Sequence, residues 1–218
     1  MSIFLINSYV YEVADIPVEQ IANLEAMSFN GTDAYIDTGF NGLNGLSQAA
    51  VSFWLKSSNV NQNGHMFGNL TSNSGLSMQF YTNNTAYIYI NNQTKTFTTS
   101  SYFSNNTWHN FILVFDGSLG TNDRLKAYVD GNLITFSSVS STTLLTSTND
   151  LLLGFAPAGA YFNGQIDEVA IFNKALSANK IQQIYDATAV VDGVPQTANL
   201  FTGGLDTSLV YWNRMGDS

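Results

Sequence analysis

Residues 108–138 read WHNFILVFDGSLGTNDRLKAYVDGNLITFSS. Three runs of strand-forming residues, WHNFILVFDG (108–117), RLKAYVDG (124–131) and NLITFSS (132–138), are separated by turn-forming residues. Asp130-Gly131 stands between the second and third runs. A two-residue Asp-Gly link suits a type I′ turn, which needs positive φ at both central positions, so the spacing predicts a hairpin. In the second run Leu125, Ala127 and Val129 share one face while Lys126, Tyr128 and Asp130 share the other, the mark of a strand buried on one side. The first run is apolar on both faces, because Phe111, Leu113 and Phe115 oppose Ile112 and Val114. A covered central strand beside a half-buried one fits two stacked antiparallel sheets.

The same grammar extends outward. AVSFWLKSS (49–57), HMFGNLT (65–71), LSMQFYT (76–82), AYIYINN (86–92), KTFTTS (95–100), LLLGFA (151–156) and QIDEVAIFN (165–173) are further strand candidates, bounded nearly everywhere by Gly, Asn, Asp or Ser. One helix is expected after Ser177, a good N-cap, with Ile181, Ile184 and Tyr185 as its apolar stripe. Lys180 occupies the position where a capping box would carry Glu. A second short helix is expected from Pro17 through VEQIANL, since proline suits a first helical turn. The opening MSIFLINSYVYEVADIP lacks the basic region of a secretory leader. It alternates instead, with Ile3, Leu5, Tyr9, Tyr11 and Val13 on one parity, as an extended strand does. A lone strand must find a partner for its backbone, so residues 1–27 pair with this sandwich's own edge, with another copy or with another protein. An arm docked on another molecule or copy is expected, because the sandwich from Ser28 onward reads as complete. VVDGVPQTANLFTGGLDTS (190–208) has a linker's composition. The expected organisation is therefore an N-terminal arm (1–27), a β-sandwich (28–187) and a C-terminal linker or tail (188–218).

Only 11% of the 218 residues are charged, against about 25% in an average soluble domain. Asn, Ser, Thr and Gly supply the surface polarity instead. Cysteine is absent, which excludes disulfides and thiolate metal sites. The net charge is −9 with only 7 lysines and arginines, scattered singly. Such a chain cannot neutralise a row of phosphates and is repelled by an anionic membrane, so neither nucleic acid nor membrane is an expected partner. No apolar run approaches the roughly 20 residues that span a bilayer.

SFNGTDAYIDTG (28–39), VSFWLK (51–56), WHNFILVFDG (108–117), LKAYVDGNLI (125–134), LLLGF (151–155) and YFNGQIDEVAIFNKALSANKIQQIY (161–185) follow one another in order. The series resembles the laminin-G-like, concanavalin-A-like jelly rolls of lectins and glucanases. The resemblance implies an all-β fold: an antiparallel two-sheet jelly-roll sandwich, one sheet concave, with one short C-terminal helix and extended terminal arms. It also implies a calcium ion. Related jelly rolls hold one with an Asp at the start of the last strand, which Asp167 matches, and with carbonyls that would come from around Asn30 and Gly39. Asp33 is a further ligand on this reading. The tail GGLDTSLVYWNRMGDS (203–218) looks like the opening of another such module, as in repeat-bearing phage proteins.

Glycoside hydrolysis needs two carboxylates flanking the scissile bond, which the glucanases of this fold carry as Glu-x-Asp-x-x-Glu on one strand. Here Glu12, Glu19 and Glu25 precede the sandwich and only Glu168 lies within it. The two histidines, His65 and His109, are expected as packing residues. Sugar binding is better supplied, because rings stack on sugar C–H faces and amides bond to hydroxyls. Tyr81, Tyr87 and Tyr89 have parities that place them on one sheet face, with Gln79 and Asn91 close in sequence. Tyr102 and Tyr161, on turn-rich segments, complete the candidate site, whereas Trp54 and Trp108 are expected in the core. The expected function is that of a noncatalytic, virion-borne (phage) structural or adhesion protein whose jelly roll binds cell-surface glycan. Its partners would be virion proteins or its own copies, docked through the N-terminal arm, and its location the virion or the extracellular space. The alternatives are a carbohydrate-binding module or adhesin of a secreted bacterial protein and, third, a glycan-active hydrolase.

Overall fold

A computed structural model describes residues 20–21, 25–71, 74–157, 159–187, 189–191, 194–205 and 207–215. The strands are, in chain order, β1 (Gln20–Ile21), β2 (Met27–Asn30), β3 (Ile36–Asp37), β4 (Gln48–Lys56), β5 (Gly64–Gly68), β6 (Leu76–Tyr81), β7 (Thr85–Ile90) and β8 (Gln93–Thr98). There follow β9 (His109–Asp116), β10 (Leu125–Val129), β11 (Asn132–Phe136), β12 (Leu152–Leu153) and β13 (Asn163–Phe172). The helix α1 (Ala178–Asp186) leads to β14 (Ala189–Val191), β15 (Val194–Ala198) and β16 (Leu209–Asn213).

Two large antiparallel sheets make a jelly-roll sandwich. One has the order β3-β12-β5-β6-β7-β8, and the other β11-β10-β9-β4-β13-β16 with β2 also paired to β13. The hairpin signal is realised: Asp130 and Gly131 both have positive φ, 50° and 75°, and Val129 pairs with Asn132 across them. Inward positions of both sheets, among them Phe53, Phe67, Phe80, Phe111 and Ile166, form the main core. Phe111, Leu113 and Phe115 of β9 enter it. Ile112 and Val114 on the opposite side of β9 meet Phe172, Ile181 and Ile184 in a second core under α1, which explains a strand apolar on both faces. Ser177 caps α1 by accepting the Lys180 N–H on its Oγ at 3.3 Å. Trp54 is buried on this side, its ring stacked 6.3 Å from Tyr185, and Trp108 is buried under the Lys56 ammonium.

Two expectations are corrected. Among the described residues of 188–218, the expected linker is in part packed structure. Leu209–Asn213 adds an edge strand to the seven-stranded sheet, pairing with Val169–Phe172 of β13. Ala198, Leu200 and Leu205 complete the core under α1, and Met215 reaches the main core. The segment is held electrostatically as well: Glu168 accepts the Trp212 Nε1–H at 2.6 Å and the Arg214 Nε–H at 3.3 Å. Near the N-terminus, Gln20–Ile21 is strand rather than helix and pairs with Thr197 and Ala198 of the same chain. The rest of that expected helix and the alternating residues Ile3 to Val13 lie outside the described residues.

Candidate functional site

Alternation along β6 sends Leu76, Met78 and Phe80 inward and Ser77, Gln79 and Tyr81 outward. On β7 it sends Ala86, Ile88 and Ile90 inward and Tyr87 and Tyr89 outward. Antiparallel pairing then sets His65, Gln79, Tyr87 and Thr96 in one row across four strands. The rings form a ladder, with centroids 5.1 Å apart for Tyr81–Tyr87, 5.9 Å for Tyr87–Tyr89 and 6.0 Å for Tyr89–His65. Tyr81 is 37% exposed at its outer end. His65 closes the inner end, and burial lowers its imidazole pKa to about 4, so it is neutral at pH 7.

The floor of this cleft is a polar chain. The Tyr89 hydroxyl donates to Gln79 Oε1 at 3.1 Å, and the Gln79 amide donates to Asn63 Oδ1. Burial chiefly, with the neighbouring Tyr87 and Tyr81, raises the Tyr89 phenol pKa and keeps that hydroxyl a donor. The cleft has a volume of about 770 Å³, within the rough 300–1,000 Å³ span of small-molecule sites. Gly159 closes its side because nothing larger fits: a Cβ there would lie 2.2 Å from the His65 ring.

A second aromatic group stands beside the first. Phe155 and Tyr161 stack at 4.4 Å, and Tyr35, 52% exposed, lies 5.9 Å from Phe155 and 6.5 Å from Tyr161. They border a depression of about 380 Å³ whose polar lining includes Asp37, Asn149 and Asp150. Asn149 and Pro157 line both depressions.

Of the residues expected to bind sugar, the fold thus gathers Tyr81, Tyr87 and Tyr89 in one ladder, of which Tyr81 and Tyr89 line the first cleft, and sets Tyr161 in the adjoining one. It separates the other two. Asn91 is buried: its amide donates to Ser141 Oγ and to the Thr143 carbonyl, and its Oδ1 accepts the Leu145 N–H, so it clamps a long loop to the β7–β8 turn. Tyr102 packs edge-on against Phe97 at the margin of the main core. His65, Asn63, Tyr35 and Phe155 are members that sequence reasoning missed. Only His65 carried a signal, through its parity opposite Gln79.

The four expected calcium ligands do not converge. Asn30 pairs with Asn163, four residues from Asp167 along β13, which is about 13 Å of extended strand. Asp167 is fully buried beside Trp54 and accepts the Glu168 N–H. Asn30 Oδ1 already accepts the amides of Thr32, Asp33 and Ala34, its Nδ2 donates to Asp33, and Gly39 donates to Asp37. The side chains of Asn30, Asp33 and Asp167 serve a turn and the β13 bulge as they stand, and the length of β13 parts Asn30 from Asp167. Among the described residues no three His, Asp or Glu converge elsewhere.

A catalytic-looking contact has a structural explanation. Ser104 Oγ lies 3.2 Å from His109 Nε2, and His109 Nδ1 lies 2.6 Å from Asp130 Oδ2. The Ser104 backbone N–H, however, donates to Nε2 at 3.0 Å. That uses the lone pair a general base would need, so the trio staples the loop to the Asp130-Gly131 hairpin.

A jelly roll presenting an aromatic and amide-lined outer face belongs to the lectin-like class of β-sandwich. The chain is a member of the concanavalin A-like lectin/glucanases superfamily, matching its laminin-G-like family over residues 30–182. No curated relative matches the chain by sequence. Among solved structures, the CBM40 of Ruminococcus gnavus IT-sialidase, bound to α2,3-sialyllactose, superposes with a TM-score of 0.59 at 14% identity, covering 78% of this chain and 99% of that one. A heptameric SAP-like pentraxin from Limulus polyphemus gives 0.55 at 16% identity, over 72% and 80%. Domains LG4-5 of the mouse laminin α1 chain give 0.53 at 16%, over 72% of this chain and 45% of that one. At these identities the likeness is one of fold.

Proposed function

We propose that this chain is a noncatalytic carbohydrate-binding module that engages glycan on the outer face of its six-stranded sheet. The observation that carries this reading is the Tyr81–Tyr87–Tyr89 ladder over the Gln79–Asn63 floor, which sets ring faces and amide groups side by side. Sugars offer apolar C–H faces to the first and hydroxyls to the second. The sugar-bound neighbour from R. gnavus supports the ligand class on this architecture. Glycans of this kind are met outside cells, so the module is displayed either on a virion or on a secreted bacterial protein, and copurification with assembled particles separates the two. In the same reading residues 1–19 provide attachment to the carrier or to another copy, which light scattering of chains with and without them addresses.

The test is a glycan array followed by calorimetry on the best hits. The double variant Tyr81→Ala, Tyr87→Ala should weaken binding at least about tenfold, since each stacked ring contributes on the order of 1 kcal/mol. Circular dichroism should stay unchanged, because both side chains point outward. A protein that binds no glycan, or whose binding ignores the double variant, ends this reading.

A further inference from the structure

The two aromatic depressions share a wall. Asn149 and Pro157 line both. The segment between them is tied to the first cleft by the backbone, with the His65 N–H donating to the Ala160 carbonyl at 3.0 Å and His65 bridging Tyr161 in parallel register. Tyr161 lines the second depression while its neighbour Ala160 lines the first. Among the described residues no lysine or arginine lines either one. Arg124 donates to the carbonyls of Leu119, Val139 and Ser140, and Lys95 donates to those of Ser137 and Ser138, so both are engaged elsewhere. The second depression carries Asp37 and Asp150. Carboxylates accept hydrogen bonds from hydroxyls and repel anions.

From these observations we infer that the tyrosine cleft and the Tyr35–Phe155–Tyr161 depression are two subsites of one groove, which takes a neutral oligosaccharide long enough to span both. The inference rests on the proposed glycan-binding function and adds a second platform, a minimum ligand length and a charge class to it. The tyrosine cleft holds one sugar over its ladder. The chain of sugars then passes the Asn149–Pro157 wall, and a further unit stacks on Tyr35 with its hydroxyls toward Asp37 and Asp150. Sialylated and sulfated glycans are disfavoured because among the described residues no lysine or arginine of the groove meets their charge, and the net charge of −9 acts in the same direction.

The experiment uses the full chain and a panel of gluco-, galacto-, manno- and xylo-oligosaccharide ladders of one to six units, with 3′-sialyllactose and sulfated galactan as the anionic members. Affinity for the preferred neutral ladder should rise about tenfold or more once the sugar reaches the second platform. Tyr35→Ala, an exposed substitution, should remove that gain and leave binding of the shortest bound sugar unchanged. Tyr87→Ala should weaken short and long sugars alike. A flat length dependence, a Tyr35→Ala variant that keeps the gain, or tighter binding of the anionic members overturns the two-subsite groove while Tyr87-dependent binding of short sugars sustains the glycan-binding function. Absence of binding across the whole panel overturns both.

Discussion

His65 shows how one residue links the site to stability. Its ring is buried against Tyr89 and Gly159, with Nδ1 at 3.4 Å from Ser77 Oγ, and its pKa falls from 6.5 to about 4. The folded protein thus holds His65 neutral where the unfolded chain would protonate it. Between pH 6.5 and about 4 the unfolded state binds the extra proton, so stability is fully present above 6.5 and declines as pH falls through that window. The decline from this residue is on the order of 3 kcal/mol across the window, or roughly 10 °C of melting temperature for a domain of this size. Carboxylates titrate nearby in pH, so the informative comparison is with His65→Gln, whose melting curve should fall less steeply between pH 6.5 and 4. Parallel pH profiles for the two proteins would remove His65 as the cause.

At the scale of elements, β13 decides the architecture. Its first half pairs with β2 and its second half with β16, and the register shifts between Asp167 and Ala170 at a bulge. Glu168 sits in that bulge with φ at +51° and receives Trp212 and Arg214 from the C-terminal segment. A bulge of this kind re-aims a side chain, and here it aims a buried carboxylate at the strand that arrives last. A chain ending at Ala187 keeps the family landmarks but loses β16 and uncovers Ile112, Val114 and Phe172. Burial of Leu200, Leu205 and Met215 contributes about 2 kcal/mol each, and their sum alone rivals the ~5–15 kcal/mol by which domains are stable. Glu168 loses its indole and guanidinium partners as well. The truncated chain should precipitate or unfold at far lower urea than the full chain. Denaturation curves that coincide would show the C-terminal segment to be dispensable.

The whole molecule is asymmetric. Helix α1 and the C-terminal segment cover the outer face of the seven-stranded sheet, while the outer face of the six-stranded sheet presents the tyrosine ladder and the second aromatic platform. The proposed glycan groove therefore lies on the face that α1 leaves open. Hydrolysis there would need a proton donor and a nucleophile or base on either side of the bond. Glu168 is committed to Trp212 and Arg214 on another sheet. Asp37 and Asp150 are the carboxylates that line the groove, at one end of it. We expect no turnover of laminarin, agarose, carrageenan or alginate by the pure protein, followed as new reducing ends or, for alginate, as new unsaturated ends. Sustained cleavage lost on Asp37→Asn or Asp150→Asn would make the groove an active site instead.

The sequence by itself determined whatever is local and periodic. Alternation told which side chains of β6, β7 and β10 face together, Asp130-Gly131 marked the hairpin, and Ser177 with its apolar stripe marked α1. The parity of Tyr81, Tyr87 and Tyr89 was already half of the site, since a strand's faces follow from its own backbone geometry. Tertiary structure alone decided which distant segments meet. Tyr35, Phe155 and Tyr161 converge only because β3 and β12 pair next to β5. Asn91 left the site because its turn aims the amide at the 141–145 loop, and Asp167 and Asn30 were parted by the register between β13 and β2. The strand β16 was illegible for a related reason. Its residues are only partly buried, so selection for core-forming alternation is weak there. Its place is set by what β13 leaves unpaired and by the buried carboxylate of Glu168.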